Sequence, residues 1–433
     1  MRTLIHLLAS TVILTSCTSA PNPQASLKTS SNLKPIDETI AVEVLTQGHT
    51  KFAIDLYKKL SEDPDKAGEN IFISPLSVST AFGLAYAGAK GETAQEMASV
   101  LHYILPEEQL HPTMGTLIKT VEDDTEGQLF QMANALFVNQ DTVLEPDYLA
   151  LTKASYEAED TRVDFKNQPK QAIETINDWV KDRTHGLIPK TLSYTKDTRK
   201  TRNVMVNTAY LKTGWAHPFS DNNTKLGNFA TPNGNLKTPL MQRTYRTGKL
   251  FYTKGRGHAA VSIPYQMGTM SMIAILPDKE SGLPKLEAKL SPEFLLDLRE
   301  SFANDTKYEV ELTLPKIDLS DDYKLQDNLK AMGMSLAFSD FADFSGRINS
   351  AKQPDNYPTK LGKVVHKTVL KMDEDGTEAA AVTAIDEVII VGAPRKKPKK
   401  VEFKADHPFL LLIQNNKTGA ILFMGRINNP VAE

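Results

Sequence analysis

Three short patterns have the residue types of a serine acyl-transfer site: Ser193-x-x-Lys196, Ser220-Asp221-Asn222 and Lys417-Thr418-Gly419, in the chain order such chemistry uses. That chemistry needs the serine to open a helix with an apolar face. Ser193 instead leads into the polar run Tyr194-Thr195-Lys196-Asp197-Thr198-Arg199-Lys200, and the first two patterns lie too close together. No His-Glu-x-x-His, phosphate-cradling glycine loop or Gly-x-Ser-x-Gly occurs, so the sequence points to no metal or cofactor. Cys17 is the only cysteine, which excludes an intramolecular disulfide.

The most informative segment is Asp373-Glu374-Asp375-Gly376-Thr377-Glu378-Ala379-Ala380-Ala381-Val382-Thr383, a charged, glycine-containing pivot followed by very small side chains. A strand that must slide between two existing strands needs small residues on its buried face, no proline, and a pivot that tolerates unusual backbone angles. Alternation would turn Thr377, Ala379, Ala381 and Thr383 inward and Glu378, Ala380, Val382 and Ala384 to solvent. Acidic residues followed by alanines also suit the start of a helix, and periodicity alone favours that reading. The surroundings favour the strand: Val364 to Met372 reads as a long strand, and Val391 to Lys400 is an open stretch rich in Pro, Gly and basic residues.

The elements that must carry this segment are intermixed helices and strands. Leu45 to Leu60, Ser77 to Leu101 and Lys170 to Arg183 have helical periodicity, the last with Ile173, Ile176, Trp179 and Val180 on one face. Glu309 to Leu314 alternates with period two, and the apolar runs Phe409 to Ile413 and Ala420 to Met424 read as a buried hairpin. No linker divides the chain after Thr50, so one large domain is expected. With 40% hydrophobic and 24% charged residues and a net charge of -3, the chain is not a generic nucleic-acid binder.

The N-terminus carries Arg2, an apolar run from Leu4 to Leu14, and then Leu14-Thr15-Ser16-Cys17. This reads as a secretory leader over residues 1–16 that is too short to span a bilayer. Its end resembles a bacterial lipoprotein cleavage box, with Cys17 as the lipid-bearing first residue; an ordinary leader with an incidental cysteine is the other reading. Residues 17–37 then read as a polar tether, and residues 38–433 as the folded domain. The resemblance implies export across the inner membrane and anchoring at the bacterial cell envelope, on the surface or outer membrane.

From about Thr50 to Pro430 the chain resembles the serpins. The motifs are Asn70 to Ser79 with Leu84, Gly88, Gly91 and Thr93; Asn134 to Val138; Asn203 to Lys212 with Trp215 and Phe219; Ser271 to Asp278; Leu314-Pro315-Lys316; Ala342 to Gly346; and Asp406-His407-Pro408-Phe409. They occur in family order. The resemblance implies an α+β fold of three β-sheets and eight or nine helices, with an exposed reactive-centre loop over about residues 374–400. It implies a monomeric suicide-substrate inhibitor whose loop is bait for an endopeptidase and inserts into the main sheet after cleavage.

Carried onto these residues, the resemblance makes Glu374 and Gly376 hinge positions, with Lys316 as partner of Glu374, and Ser74, Ser77, Asn207 and His366 the cluster where the sheet parts. Counting from Gly376 sets the scissile bond at Ile390-Val391, an aliphatic bait for elastase-like or subtilisin-like serine proteases or papain-like cysteine proteases. Arg395, Lys396 and Lys397 are the trypsin-like alternative. Arg395 to Lys400 is also a candidate polyanion contact, or a solvated linker. Two other classes remain in view: a serpin that no longer inhibits and serves as a binding protein, and the serine β-lactamase or penicillin-binding enzyme suggested by the three short patterns.

Overall fold

The computed structural model describes residues 36–125, 128–304, 308–349, 359–362, 364–378 and 398–431. Among them lie nine α-helices and three β-sheets of seven, six and four strands, which is the α+β architecture expected from the motifs.

The six-stranded sheet forms the apolar centre. Its order runs from Ile71–Ile73 through Ile421–Ile427, Phe409–Asn415, Met270–Pro277 and His258–Pro264 to Phe251–Gly255. Three of its four inner strands, Met270–Pro277, Phe409–Asn415 and Ile421–Ile427, are buried throughout, because both faces of the sheet are covered there. The predicted hairpin forms, its turn held by the Asn415 carboxamide oxygen, which accepts from the Lys417 and Thr418 N–H groups at 3.0 and 2.9 Å. Ile71–Ile73 can approach Ile421–Ile427 only because residue 425 is glycine: a Cβ there would overlap the Ile71 carbonyl.

The helices differ from the periodicity in two places. The first runs from Glu38 rather than Leu45, because Asp37 caps it, its carboxylate accepting from the Thr39 N–H at 3.0 Å. The stretch read as one helix from Ser77 to Leu101 is two, Pro75–Tyr86 and Gly91–Leu101. Between them Gly88 lies against the backbone of Arg347, and Lys90 donates its N–H to the Asp343 carbonyl at 3.0 Å. Gly91 takes φ +54°, which glycine tolerates, at the first residue of the second helix.

The seven-stranded sheet is ordered Ile317–Lys324, Val365–Met372, Gly376–Thr377, Asn203–Gly214, Gln128–Asn139, with both Asp123–Thr125 and Glu159–Val163 paired to the last of these. The four-stranded sheet, Lys399–Lys404, Tyr308–Pro315, Gly234–Tyr245 and Lys225–Thr231, receives the chain beyond the loop: Lys399–Lys404 runs parallel to Tyr308–Pro315. The loop is therefore fixed at one end in the large sheet and at the other in the small one.

Three histidines are sealed in the interior. Both ring nitrogens of His49 and Nε2 of His111 are buried without a partner, and Nε2 of His366 accepts from the Ser74 N–H at 3.0 Å. Burial holds each of the three down at about 4. The folded state thus favours neutral imidazole, while the unfolded chain takes up protons near the ordinary value of 6.5. Their contribution is complete above pH 6.5 and is lost as pH falls from there to about 4, on the order of 3 kcal/mol for each histidine. The urea midpoint of the intact protein is expected to fall across that window, and His49→Leu to reduce the slope. A midpoint independent of pH across the window would contradict this.

Candidate functional site

The inner edges of two long strands face each other across a seam. On one side Val365–Met372 pairs in full with Ile317–Lys324; on the other Asn203–Gly214 pairs with Gln128–Asn139. Between them the described chain supplies only two residues. Gly376 and Thr377 pair with Gly214 and Thr213, and Thr377 also pairs with Met372. Beyond this plug, no described residue pairs the two strands. A small cavity opens there, lined by Phe72, Leu211, Leu370, Thr377, Ile413 and Phe423. Phe72, Leu211, Ile413 and Phe423 give it an apolar side, and Lys371 and Glu378 also line it.

The plug is held by its own turn and by groups distant in sequence. Asp373 opens an Asx turn, its carboxylate accepting from the Asp375 and Gly376 N–H groups at 3.0 and 3.3 Å. Trp215 donates twice: its backbone N–H to the Asp375 carbonyl at 2.8 Å and its indole N–H to the Asp373 carbonyl at 2.9 Å. Phe219 donates its N–H to the Glu374 carbonyl at 2.8 Å. The Thr377 hydroxyl meets the buried Tyr265 hydroxyl at 2.7 Å, and Tyr265 stacks on Trp215 with centroids 4.7 Å apart.

Glu374 carries the charge of this turn. Its side chain is 7% exposed, with Oε2 2.5 Å from Lys316 Nζ and Oε1 accepting from the Thr224 hydroxyl at 2.5 Å. Burial pushes the carboxyl up, but the bonds from Lys316 and Thr224 outweigh it and leave it below the ordinary range. Glu374 in turn raises Lys316. Neighbouring Asp375 goes the other way, raised by burial and then by the charges of Asp373, Asp221 and Glu374. The turn therefore holds one satisfied carboxylate and one that is disfavoured.

The four residues carried over as the parting cluster fall into two hydrogen-bonded groups. Ser74 joins His366 through its N–H and donates its hydroxyl to the Leu422 carbonyl at 2.7 Å. Ser77 bonds Asn207, whose amide donates to Asn134 at 2.8 Å, and Asn134 donates to the Tyr156 carbonyl at 2.8 Å. No bond between His366 and Asn207 links the groups among the described residues. The Thr368 hydroxyl also donates to the Phe72 carbonyl, at 2.5 Å. Both groups tie a strand bordering the seam to the start of the Pro75–Tyr86 helix, one on each side.

Thr377 is buried, as alternation requires, while Glu378 is half-buried and takes φ +49°. Ala379, Ala380, Ala381, Val382, Thr383, the bond Ile390-Val391, the basic residues Arg395, Lys396 and Lys397, and Cys17 lie outside the described residues. Of the basic stretch, Lys399 sits over the Tyr308 ring at 5.7 Å and Lys400 pairs with Glu309 at 2.8 Å. The three acyl-transfer patterns do not converge: Lys196 opens a short turn, Asp221 stands beside the hinge, and Lys417 lies in the hairpin turn of the six-stranded sheet. Thr224, Tyr265 and the roles of Trp215 were not legible as site residues, since no local pattern connects them to residues 373–377. Asp373 was legible: Asp preceding a glycine turn is an Asx-turn signal.

The chain matches the family model described as Serpin (serine protease inhibitor) over residues 47–430. It is 35% identical over 403 residues to an uncharacterized serpin-like protein of Thermococcus kodakarensis, covering 90% of this chain and 89% of that one. It is also 35% identical over 393 residues to the leukocyte elastase inhibitor of Bos taurus, covering 90% and 100% of the two chains. The native-state crystal structure of the thermophilic serpin tengpin superposes with a TM-score of 0.77 at 26% identity, covering 92% of this chain and 95% of that one. A plugged seam, a loop bridging two sheets and a match across nearly the whole folded chain lead to one conclusion: the chain belongs to the serpin family.

Proposed function

We propose that this serpin is a suicide-substrate inhibitor of secreted or surface serine endopeptidases, and that Ile390-Val391 is its bait bond. The protease's nucleophile attacks the Ile390 carbonyl carbon, the bond to Val391 breaks, and the new Val391 amine takes the proton. Ile390 remains esterified to the enzyme. The freed segment then enters the seam behind Thr377 and carries the acyl-enzyme with it. The single observation that carries this reading is the seam itself, two strand edges joined in the described chain only by Gly376 and Thr377.

The scale is sufficient. About fourteen residues, from Thr377 to Ile390, at ~3.3 Å each span ~45 Å. Ten to fifteen new hydrogen bonds at about 1 kcal/mol net, with side-chain burial at ~25 cal/mol per Å² added, make insertion downhill by roughly tens of kcal/mol. The aliphatic residues around Ile390 suit elastase-like or subtilisin-like targets, and the elastase inhibitor among the relatives is in keeping with that. Cleavage at Arg395, Lys396 or Lys397 would leave slack on the inserted segment and favour release. Cys17 is proposed as the lipid-bearing residue that holds the inhibitor at the cell envelope, and the basic stretch to Lys400 as a polyanion contact. Palmitate labelling lost in Cys17→Ser tests the anchor; retention of the label would contradict it. Weaker retention on heparin when Lys396 and Lys397 are replaced by Ser tests the contact, and unchanged retention would contradict it.

Incubation with elastase, subtilisin, trypsin and papain is expected to give a covalent complex that survives denaturant with one of the first two, releasing a C-terminal peptide whose mass begins at Val391. A peptide beginning after Arg395, Lys396 or Lys397 would move the bait. Thr377→Arg places a charge at a buried position of the seam and is expected to turn the inhibitor into a substrate, with at least about a tenfold loss of complex relative to cleaved product. Undiminished complex in that variant would contradict the insertion step.

A further inference from the structure

Two buried ions of this chain have their counter-charge against them. Glu374 meets Lys316, and Arg426 meets Glu287 at 3.0 Å while its remaining donors reach the Glu69 and Lys66 carbonyls. Arg347 is the exception. It is 2% exposed, and among the described residues no carboxylate pairs with it.

The surroundings of its guanidinium are soft and uncharged. Nη1 reaches the Met205 sulfur at 3.9 Å, the central carbon lies over the Phe344 ring at 4.7 Å from its centroid, and Nε is buried without a partner. A thioether and a ring face are weak acceptors and carry no negative charge. The acids adjoining this segment are engaged elsewhere. The Asp343 carboxylate accepts from the Ser345 N–H at 3.0 Å, and the Glu145 carboxylate accepts from the Asn349 amide at 3.4 Å. Burial lowers the pKa of Arg347, yet a guanidinium keeps its proton in a folded protein, so the charge stays. A buried ion without a counter-charge is costly.

The backbone leaves the side chain no other direction. Arg347 donates its N–H to the Phe344 carbonyl at 3.0 Å and accepts at its own carbonyl from the Glu145 N–H at 3.0 Å. Ile348 bridges to Leu144, and Asn349 donates its N–H to the Val143 carbonyl at 3.0 Å. Gly88 lies so close that a Cβ there would overlap that of Arg347. The guanidinium is thus aimed inward by a chain bonded on both sides of it.

The kind of ion that suits this position follows from its donors. Phosphate and sulfate carry two charges on several oxygens and need several charge-assisted donors, which one guanidinium beside a thioether and a ring does not supply. The guanidinium is itself weakly hydrated and matches an ion that gives up water easily. We infer that Arg347 is the centre of a binding site for a monovalent, weakly hydrated anion of the chloride class, held beside Met205 and Phe344. The site joins residues 344–349, Gly88 beyond the Pro75–Tyr86 helix, and Met205 on a strand bordering the seam. Occupancy stabilises the folded chain by mass action and stands apart from the trap reading.

The test is the melting midpoint of the full chain in sodium chloride against sodium fluoride at equal ionic strength. General exclusion of strongly hydrated ions from the protein surface favours fluoride, so binding at Arg347 reverses the order. At about 100 times its dissociation constant, chloride is expected to raise the midpoint by about 3 °C. The chloride NMR line is expected to broaden with the folded protein and to narrow again when bromide competes. Both effects should be lost in Arg347→Met, whose side chain suits the same apolar surroundings, and in Arg347→Gln should the first variant not fold. A midpoint no higher in chloride than in fluoride overturns the site, as does a folded Arg347 variant that keeps the shift or the broadening.

Discussion

Among the described residues the main sheet is joined across its middle by Gly376 and Thr377 alone, and the rest of the account depends on that. Backbone N–H and C=O groups along a buried strand edge must find partners, and an edge left without them costs free energy at every residue. Val365–Met372 and Asn203–Gly214 are each paired on their outer sides and, among the described residues, share only Gly376 and Thr377 between them. On the proposed reading, a strand position left open at the centre of a sheet is a standing source of free energy, and the chain's own continuation, with its alanines and threonines, fills it.

A set of contacts at one end holds the plug. Trp215 binds two carbonyls of the turn, Phe219 binds a third, and Lys316 and Thr224 neutralise and bond Glu374. These bonds favour entry of the first two residues and fix the point from which a further strand would grow. The two groups behind the sheet, Ser74 with His366 and Ser77 with Asn207, tie the strands on either side of the seam to one helix. Separation of the strands must strain or exchange those bonds. On the proposed reading, the fold combines a strong preference for a filled seam with local contacts that delay the filling.

Much of this was legible in the sequence, for identifiable reasons. Val364 to Met372 reads as a strand and the strand is Val365–Met372, because β-branched and alternating residues dominate it. The hairpin of Phe409–Asn415 and Ile421–Ile427 is visible as two apolar runs around the turn Asn415-Asn416-Lys417-Thr418-Gly419. The Glu374–Lys316 contact was accessible only through family resemblance, since nothing local pairs residues so far apart. Tyr265 and Thr224 gave no signal at all: a tyrosine near a turn and a threonine before a strand are ordinary surface features until the fold brings them to the hinge. The break between Pro75–Tyr86 and Gly91–Leu101 was missed because Gly88 is set by contact with Arg347, a tertiary constraint that periodicity does not record.

The central claim is that the intact molecule lies above a more stable, strand-filled state of the same chain. Calorimetry of the intact protein and of the protein nicked in its loop compares the two directly. The account predicts that the nicked form melts at least about 20 °C higher, since filling the seam adds a full strand to the sheet. A nicked form that melts at or below the temperature of the intact one would contradict it.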